Sequence, residues 1–291
     1  VGLTMIENNE ITFCYSVGGA SKYYEMLEKS INSLQKCRLP YRVLVLDASG
    51  HYKSSNPKVK VVDFPLEVDP TQKGSHPYNV PMVSMRYNAY KYVETDVAVY
   101  ADVDTVFVSS AYLEKIIPST TKFIIAQHWW VPTLSQYFRK NVIDYPVVKK
   151  ILNNLKIDLD RPYIASGVFI FRPALHKKIF ENFQNVYDMA YKKHEIYKDG
   201  LADETILTLS LNFEDVFLAN GALNHCVMGD DCMPLIIKED KLLGKNSFDI
   251  LYEEVVFMHC DESRRNPLEP YSGHLREKIE KVWNLSGGTA I

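Results

Sequence analysis

Short unbroken apolar runs alternate with stretches of helical spacing along the first half of the chain. Ile11-Thr12-Phe13-Cys14-Tyr15-Ser16-Val17 predicts a buried strand that stops at Gly18-Gly19. Ser21 offers a cap for the helix that follows. In it Tyr24, Leu27, Ile31 and Leu34 recur at helical spacing before Pro40 closes the segment. Val43-Leu44-Val45-Leu46-Asp47 and Lys58 to Phe64 predict a second and a third strand. Strands that are apolar on both faces and linked by helices are the pattern of a parallel sheet covered on either side.

Glu67 to Val80 is rich in Pro, Gly and polar residues and reads as a long loop. Met82 to Val93 predicts a helix and Val97 to Ala101 a strand, with Val106-Phe107-Val108 as a further extended piece. Lys122 to Gln127 predicts a strand and Tyr137 to Leu155 a helix. Tyr163 to Phe171 predicts a strand containing Ser166-Gly167, and Leu175 to Tyr197 a long helix. Another helix opens at Asp203-Glu204. Val216 to Ala219 and Val255 to Met258 read as late strands, and Ser272 to Leu285 as a surface helix.

Composition narrows the function classes. With 46% hydrophobic and 24% charged residues the chain is a packed globular protein, not a disordered one. Its 291 residues suit one large domain over 1–291. The 33 Lys+Arg against 36 Asp+Glu leave a net charge of −3, which argues against nucleic acid or an anionic membrane as partner. Cys14, Cys37, Cys226, Cys232 and Cys260 are scattered with no CxxC pair. This argues against a zinc cluster or a disulfide scaffold and favours a reducing, cytoplasmic setting. No apolar run reaches the length of a membrane span. The chain starts at Val1 rather than Met, which leaves a preceding anchor or leader open.

Candidate chemistry gathers at strand ends. Asp102-Val103-Asp104 leaves the C-terminal end of the apolar strand 97–101, the edge where open α/β sheets bind ligands. Two carboxylates so close repel unless a cation lies between them, and oxygen donors suit Mg²⁺ or Mn²⁺. The competing reading is a solvated acidic turn. His259 ends another apolar strand and would add an imidazole, which favours Mn²⁺; the competing reading is a hydrogen-bonded rim histidine. Arg264 and Arg265 follow and suit a diphosphate, or lie in a solvated loop. Asp203 and Glu204 open a helix, where a charge pair is stabilised by the dipole with or without a catalytic role. Gln127-His128-Trp129-Trp130 could stack on a sugar or belong partly to the core.

Taken in order, these segments resemble the GT-A fold glycosyltransferases over roughly residues 11 to 267. Tyr100-Ala101-Asp102-Val103-Asp104-Thr105-Val106-Phe107-Val108 is similar to their DxD segment. Asp203-Glu204-Thr205-Ile206-Leu207 resembles both the DQDILN-type motif of glycosyltransferase family eight (glycogenin and bacterial galactosyltransferases) and the DES motif of the blood-group A/B transferase family. His259 and its basic loop resemble the HxxGxxKPW segment of family eight. Here Glu262 replaces the glycine and Arg265-Asn266-Pro267 the Lys-Pro-Trp, and Glu204 stands where family eight usually has Gln.

The resemblance implies an α/β GT-A fold with a mixed, mostly parallel central sheet flanked by helices. A Rossmann-like nucleotide-binding half would span about 1–110 and an acceptor-binding, catalytic half about 111–291. It implies an enzyme that transfers a hexose, galactose or glucose, from a UDP-sugar to a glycan or glycoconjugate, with retention and with Mn²⁺ or Mg²⁺ as cofactor. Asp102, Asp104 and His259 would hold the metal. Tyr15, Ser16, Asp47, Arg86, Ser166, Gly167, Arg264 and Arg265 would bind the donor, with Ser166-Gly167 letting its sugar approach. Asp203 and Glu204 would act at the sugar, Glu204 beneath the anomeric carbon. His128, Trp129 and Trp130 would face the acceptor. Two rival readings share these residues: a nucleotidyltransferase making sugar nucleotides, of whose phosphate loop Val17-Gly18-Gly19-Ala20-Ser21-Lys22 is a faint echo, and a non-catalytic nucleotide-sugar-binding module.

Overall fold

The computed structural model describes residues 10–66, 79–128, 131–140, 152–153, 157–189, 203–227 and 233–260. The long loop from Glu67, the end of the helix expected to Leu155, and the expected helix from Ser272 fall wholly or mainly outside them. Seven strands form the central sheet: β1 (Ile11–Val17), β2 (Tyr41–Asp47), β3 (Val59–Asp63), β4 (Val97–Ala101), β6 (Phe123–Gln127), β7 (Ile164–Phe171) and β8 (Val216–Ala219). Their order is β3-β2-β1-β4-β7-β6-β8. β7 alone runs antiparallel to its neighbours, so the sheet is mixed and mostly parallel, as expected.

The unbroken apolar runs have a direct cause: both faces of this sheet are covered. Phe13, Val43, Val45, Val97, Val99 and Ile170 pack with Leu27 and Ile31 of α1 (Ser21–Ser33) and with Leu113 and Ile116 of α3 (Ala111–Ile116). The alternate positions, Cys14, Leu44, Leu46, Ala98, Tyr100 and Phe169, face Met85 and Tyr87 of α2 (Asn79–Asn88) and Phe180 and Phe183 of α5 (Pro173–Tyr187). α4 (Leu134–Lys140) and α6 (Asp203–Ser210) complete the described α-helices. Ser21 is the first helical residue and Ala20 takes the cap position without a side-chain bond. Pro173 sits at the first turn of α5, where its fixed φ and missing N–H cost nothing.

Two small sheets lie beside the large one. β10 (Leu235–Lys238), β11 (Lys241–Gly244) and β12 (Glu253–Glu254) form an antiparallel sheet. β5 (Thr105–Phe107), β13 (Phe257–Cys260) and β9 (Asn224–Val227) form the other. This last sheet positions the site, because β13 pairs with β5 so that His259 lies opposite Thr105, next in sequence to Asp104. Among the described residues no helix is long and apolar enough to cross a membrane.

Candidate active site

The chain leaves β4 through a tight turn. Thr105 donates to the Asp102 carbonyl from its amide (3.1 Å) and its hydroxyl (2.7 Å), while the Asp102 amide donates to the Gly167 carbonyl (2.9 Å). The turn fixes both acids at the sheet rim, and β13 delivers the histidine. One ligand atom from each of Asp102, Asp104 and His259 lies within 4.8 Å of the others, and His259 Nε2 is 3.2 Å from Asp104 Oδ1. Burial, partly offset by Arg86, pushes the Asp102 carboxyl up to about 6. Burial alone would lower His259, but Asp104, and behind it Asp102 and Glu204, raise its imidazole to about 9. Two carboxylates and one imidazole, half-buried and converging, are a donor set that fits Mn²⁺ and accommodates Mg²⁺.

Arg86 of α2 ties this cluster to the next. Its guanidinium donates to Asp102 Oδ1 (2.7 Å), to Ser166 Oγ of β7 (3.0 Å) and to Asp203 Oδ2 of α6. Ser166 donates to the same Asp203 oxygen at 2.8 Å. The Tyr100 hydroxyl donates to Asp102 Oδ1 at 3.0 Å, with its ring beneath the Arg86 guanidinium. Burial opposes the charge on Arg86, but Asp102 and Asp203 outweigh it and the group stays ionised. Since one oxygen of Asp102 takes both donors, the other is available to a cation.

Glu204, the second residue of α6, is brought within 3.7 Å of His128 Nε2 at the end of β6. Burial, helped by the Asp203 charge, pushes Glu204 up to about 8. The rim therefore carries four carboxylates, Asp102, Asp104, Asp203 and Glu204, around one arginine and two histidines.

Gly167 lies directly under His259. A Cβ there would meet the ring at Cε1 and stand 2.5 Å from Nδ1. The space that glycine leaves is thus filled by the imidazole, and Ser166 faces Arg86 and Asp203. Of the other expected donor residues, Ser16 neighbours Tyr100, while Tyr15 and Asp47 bond elsewhere. Tyr15 is fully buried on the α1 side, its hydroxyl accepting from Ser30 at 3.1 Å. Ser16 is buried near the end of β1. The Asp47 carboxylate takes the Tyr24 hydroxyl (2.8 Å), the Ser49 amide and hydroxyl (both 3.1 Å) and the Tyr52 amide (2.7 Å). Trp129, Trp130, Arg264 and Arg265 lie outside the described residues. One residue beside the cluster has no signal in the sequence: Asn224, fully buried, whose amide nitrogen is 3.2 Å from the same Cβ point above Gly167.

No family model matches the chain, and no curated protein matches it in sequence. Solved structures do. The galactosyltransferase LgtC, in complex with donor and acceptor sugar analogues, is 12% identical with a TM-score of 0.55, over 96% of this chain and 97% of that one. The bifunctional glycosyltransferase WbbM is 14% identical with a TM-score of 0.57, over 97% of this chain and 52% of that one. Mouse xyloside xylosyltransferase 1 is 10% identical with a TM-score of 0.52, over 86% of this chain and 97% of that one. At such identities the likeness is one of fold, and it bears out the expected architecture: the chain has the GT-A fold of these glycosyltransferases.

Proposed function

We propose that the chain is a metal-dependent glycosyltransferase that moves a hexose from a UDP-sugar to a glycan or glycoconjugate acceptor with retention. The observation that carries this reading is the convergence of Asp102, Asp104 and His259 on one point, with a half-buried Glu204 on the same rim. The family resemblance of the sequence motifs supports it, as does the fold. Asp102, Asp104 and His259 would hold Mn²⁺, which supplies electrophilic stabilisation to a departing diphosphate.

The remaining work falls to the protein's own groups. Arg86 holds Asp102 and Asp203 in fixed orientations and presents positive charge toward the leaving side; Arg264 and Arg265 add to it. Asp203, oriented by Ser166 and Arg86, binds donor-sugar hydroxyls. Tyr15, Ser16 and Asp47 shape the nucleotide pocket; the four donors on Asp47 make that a matter of loop shape more than direct bonding. Glycosyl transfer develops positive charge at the anomeric carbon, so a carboxylate beneath it gains most in the transition state. We assign this part to Glu204, whose carboxylate has the His128 ring 3.7 Å away. An active-site mutant of LgtC carries glutamate in place of glutamine; this chain has a glutamate natively where family eight has Gln. We assign His128, Trp129 and Trp130 to acceptor binding, as the sequence resemblance implies.

Thermal shift with UDP, with and without Mn²⁺, tests the donor site, and release of UDP from UDP-galactose or UDP-glucose tests turnover. Asp104→Ala is expected to remove the Mn²⁺-dependent shift; an unchanged shift rejects the metal assignment. Glu204→Gln is expected to bind UDP and Mn²⁺ normally while turnover falls by about 10²–10⁴. A near-parental rate removes Glu204 from the mechanism.

A further inference from the structure

Three buried polar atoms have no hydrogen-bond partner among the described residues and meet in one place: His259 Nδ1, Asn224 Oδ1 and Asn224 Nδ2. Asn224 opens β9 and lies beside Phe257 of β13, and two positions further along the pairing His259 lies beside Cys226. Side chains two apart on a strand share a face, so Asn224 and His259 project to the same side of this small sheet. On that side stands the backbone of Gly167. Asn224 Nδ2 is 3.2 Å and His259 Nδ1 2.5 Å from the point where a Gly167 Cβ would stand. The missing side chain leaves the room in which the two groups meet.

A buried carbonyl and a buried ring N–H are each costly without a partner, and pairing the two with one another satisfies both of those atoms. The two ends of an amide are interchangeable by a half-turn, so its carbonyl can take the place nearer the ring. A histidine that binds a metal through Nε2 carries its proton on Nδ1, and that N–H is normally held by an oxygen acceptor. Among the described residues the orphaned carbonyl of Asn224 is the acceptor at hand.

We propose that Asn224 is a positioning residue for the metal centre: its side-chain carbonyl accepts the Nδ1 proton of His259, fixing the ring's tautomer and aiming Nε2 at the point shared with Asp102 and Asp104. This rests on the metal site proposed above. It acts through His259 and touches neither metal nor substrate.

Mn²⁺ binding to the full chain without nucleotide, followed by the spin-resonance signal of free Mn²⁺, tests it. Asn224→Leu, similar in shape and without an acceptor, is expected to weaken binding about 10–100-fold. Asn224→Asp, which keeps the acceptor, is expected to stay within about threefold of the parent. Equal affinity for the Leu variant and the parent overturns the proposal. If Asn224→Leu does not fold, nitrogen-edited spectra of the metal-free parent decide. They should show an exchange-protected Nδ1 proton, assigned by its loss in His259→Gln, with a cross-peak to the Asn224 side chain. Absence of that resonance overturns the pairing. A parent that binds Mn²⁺ no better than Asp104→Ala rejects the metal site itself, and the spectrum still tests the Asn224–His259 pair separately.

Discussion

Two aspartates end parallel strands of the same sheet and meet opposite fates. Asp47 closes β2 and Asp102 follows β4. Burial would raise Asp47, but donors from Tyr52, Tyr24 and Ser49 hold its carboxyl below the ordinary value. The loop after β2 and the Tyr24 hydroxyl of α1 together supply it with four donors. Asp102 is also lifted by burial, to about 6, and its donors, Arg86 and Tyr100, crowd onto one oxygen. The first carboxylate stabilises a turn; the second has an oxygen clear of both donors, which the proposed cation would use. Position at the C-terminal edge of a sheet is therefore not enough to make a ligand. What matters is whether the neighbouring loop satisfies the acid or leaves it short.

The strongest test of this contrast is Asp102→Asn, which preserves shape. Mn²⁺ affinity should drop by more than about 100-fold, beyond the range for loss of a supporting hydrogen bond, and the melting temperature should fall because Arg86 loses a charged partner. Isothermal titration with Mn²⁺ beside a thermal melt reads both. Gly167→Ala comes next. Its methyl would stand inside the His259 ring, so the imidazole must move, at a cost of ~1–3 kcal/mol in stability and with loss of the Mn²⁺ response. Urea unfolding checks the first effect; a variant as stable as the parent would show that the ring is not seated there.

Asp47→Asn should differ from Asp102→Asn in its effect on the metal. It should leave Mn²⁺ affinity unchanged and cost ~1–3 kcal/mol, because it weakens charge-assisted bonds from Tyr24 of α1 and Tyr52 of the loop. The sign follows from the depressed folded value. This contribution is present above the ordinary 3.8 and is lost as pH falls through the folded value, so parent and variant should converge in acid. A metal-binding defect in Asp47→Asn would break the comparison.

The smallest effect separates the two histidines in the same way. His225 and His259 sit on the adjacent strands β9 and β13, with His225 opposite Met258. Acids raise His259, whereas burial alone lowers His225 to about 3. Between its ordinary 6.5 and 3 the unfolded chain holds a proton on His225 that the folded chain does not. Stability therefore declines as pH drops through that window, by up to ~1.4 kcal/mol per pH unit from this group. His225→Leu should show a shallower decline in urea midpoints between pH 7 and 5; an unchanged slope would assign the acid sensitivity elsewhere.

Much of this was legible without coordinates. The central strands announced themselves because each is buried on both faces, so no polar alternation dilutes the apolar run. Asp102, Asp104 and Glu204 stood out because charge at the end of such a run, or at a helix start, is a local signal. β9 and the β10–β11–β12 sheet were not legible, although β5 and β13 overlap runs that were. β9 has four residues and begins Asn-His. The β10–β11 turn is made by Glu239 and Asp240 at positive φ, without the Asn-Gly or Gly that marks such turns. Asn224 stayed hidden for the same reason.

The order of apolar and polar residues by itself determined the layered α/β fold and most of the acids at its rim, since both depend on neighbours a few positions away in the chain. The tertiary structure alone decided which acids are already satisfied, that Gly167 makes room for an imidazole rather than standing open, and that His259 arrives beside Asp104. The last of these depends on the pairing of β5 with β13, segments more than a hundred residues apart, where a shift of one position would turn the histidine to the other face.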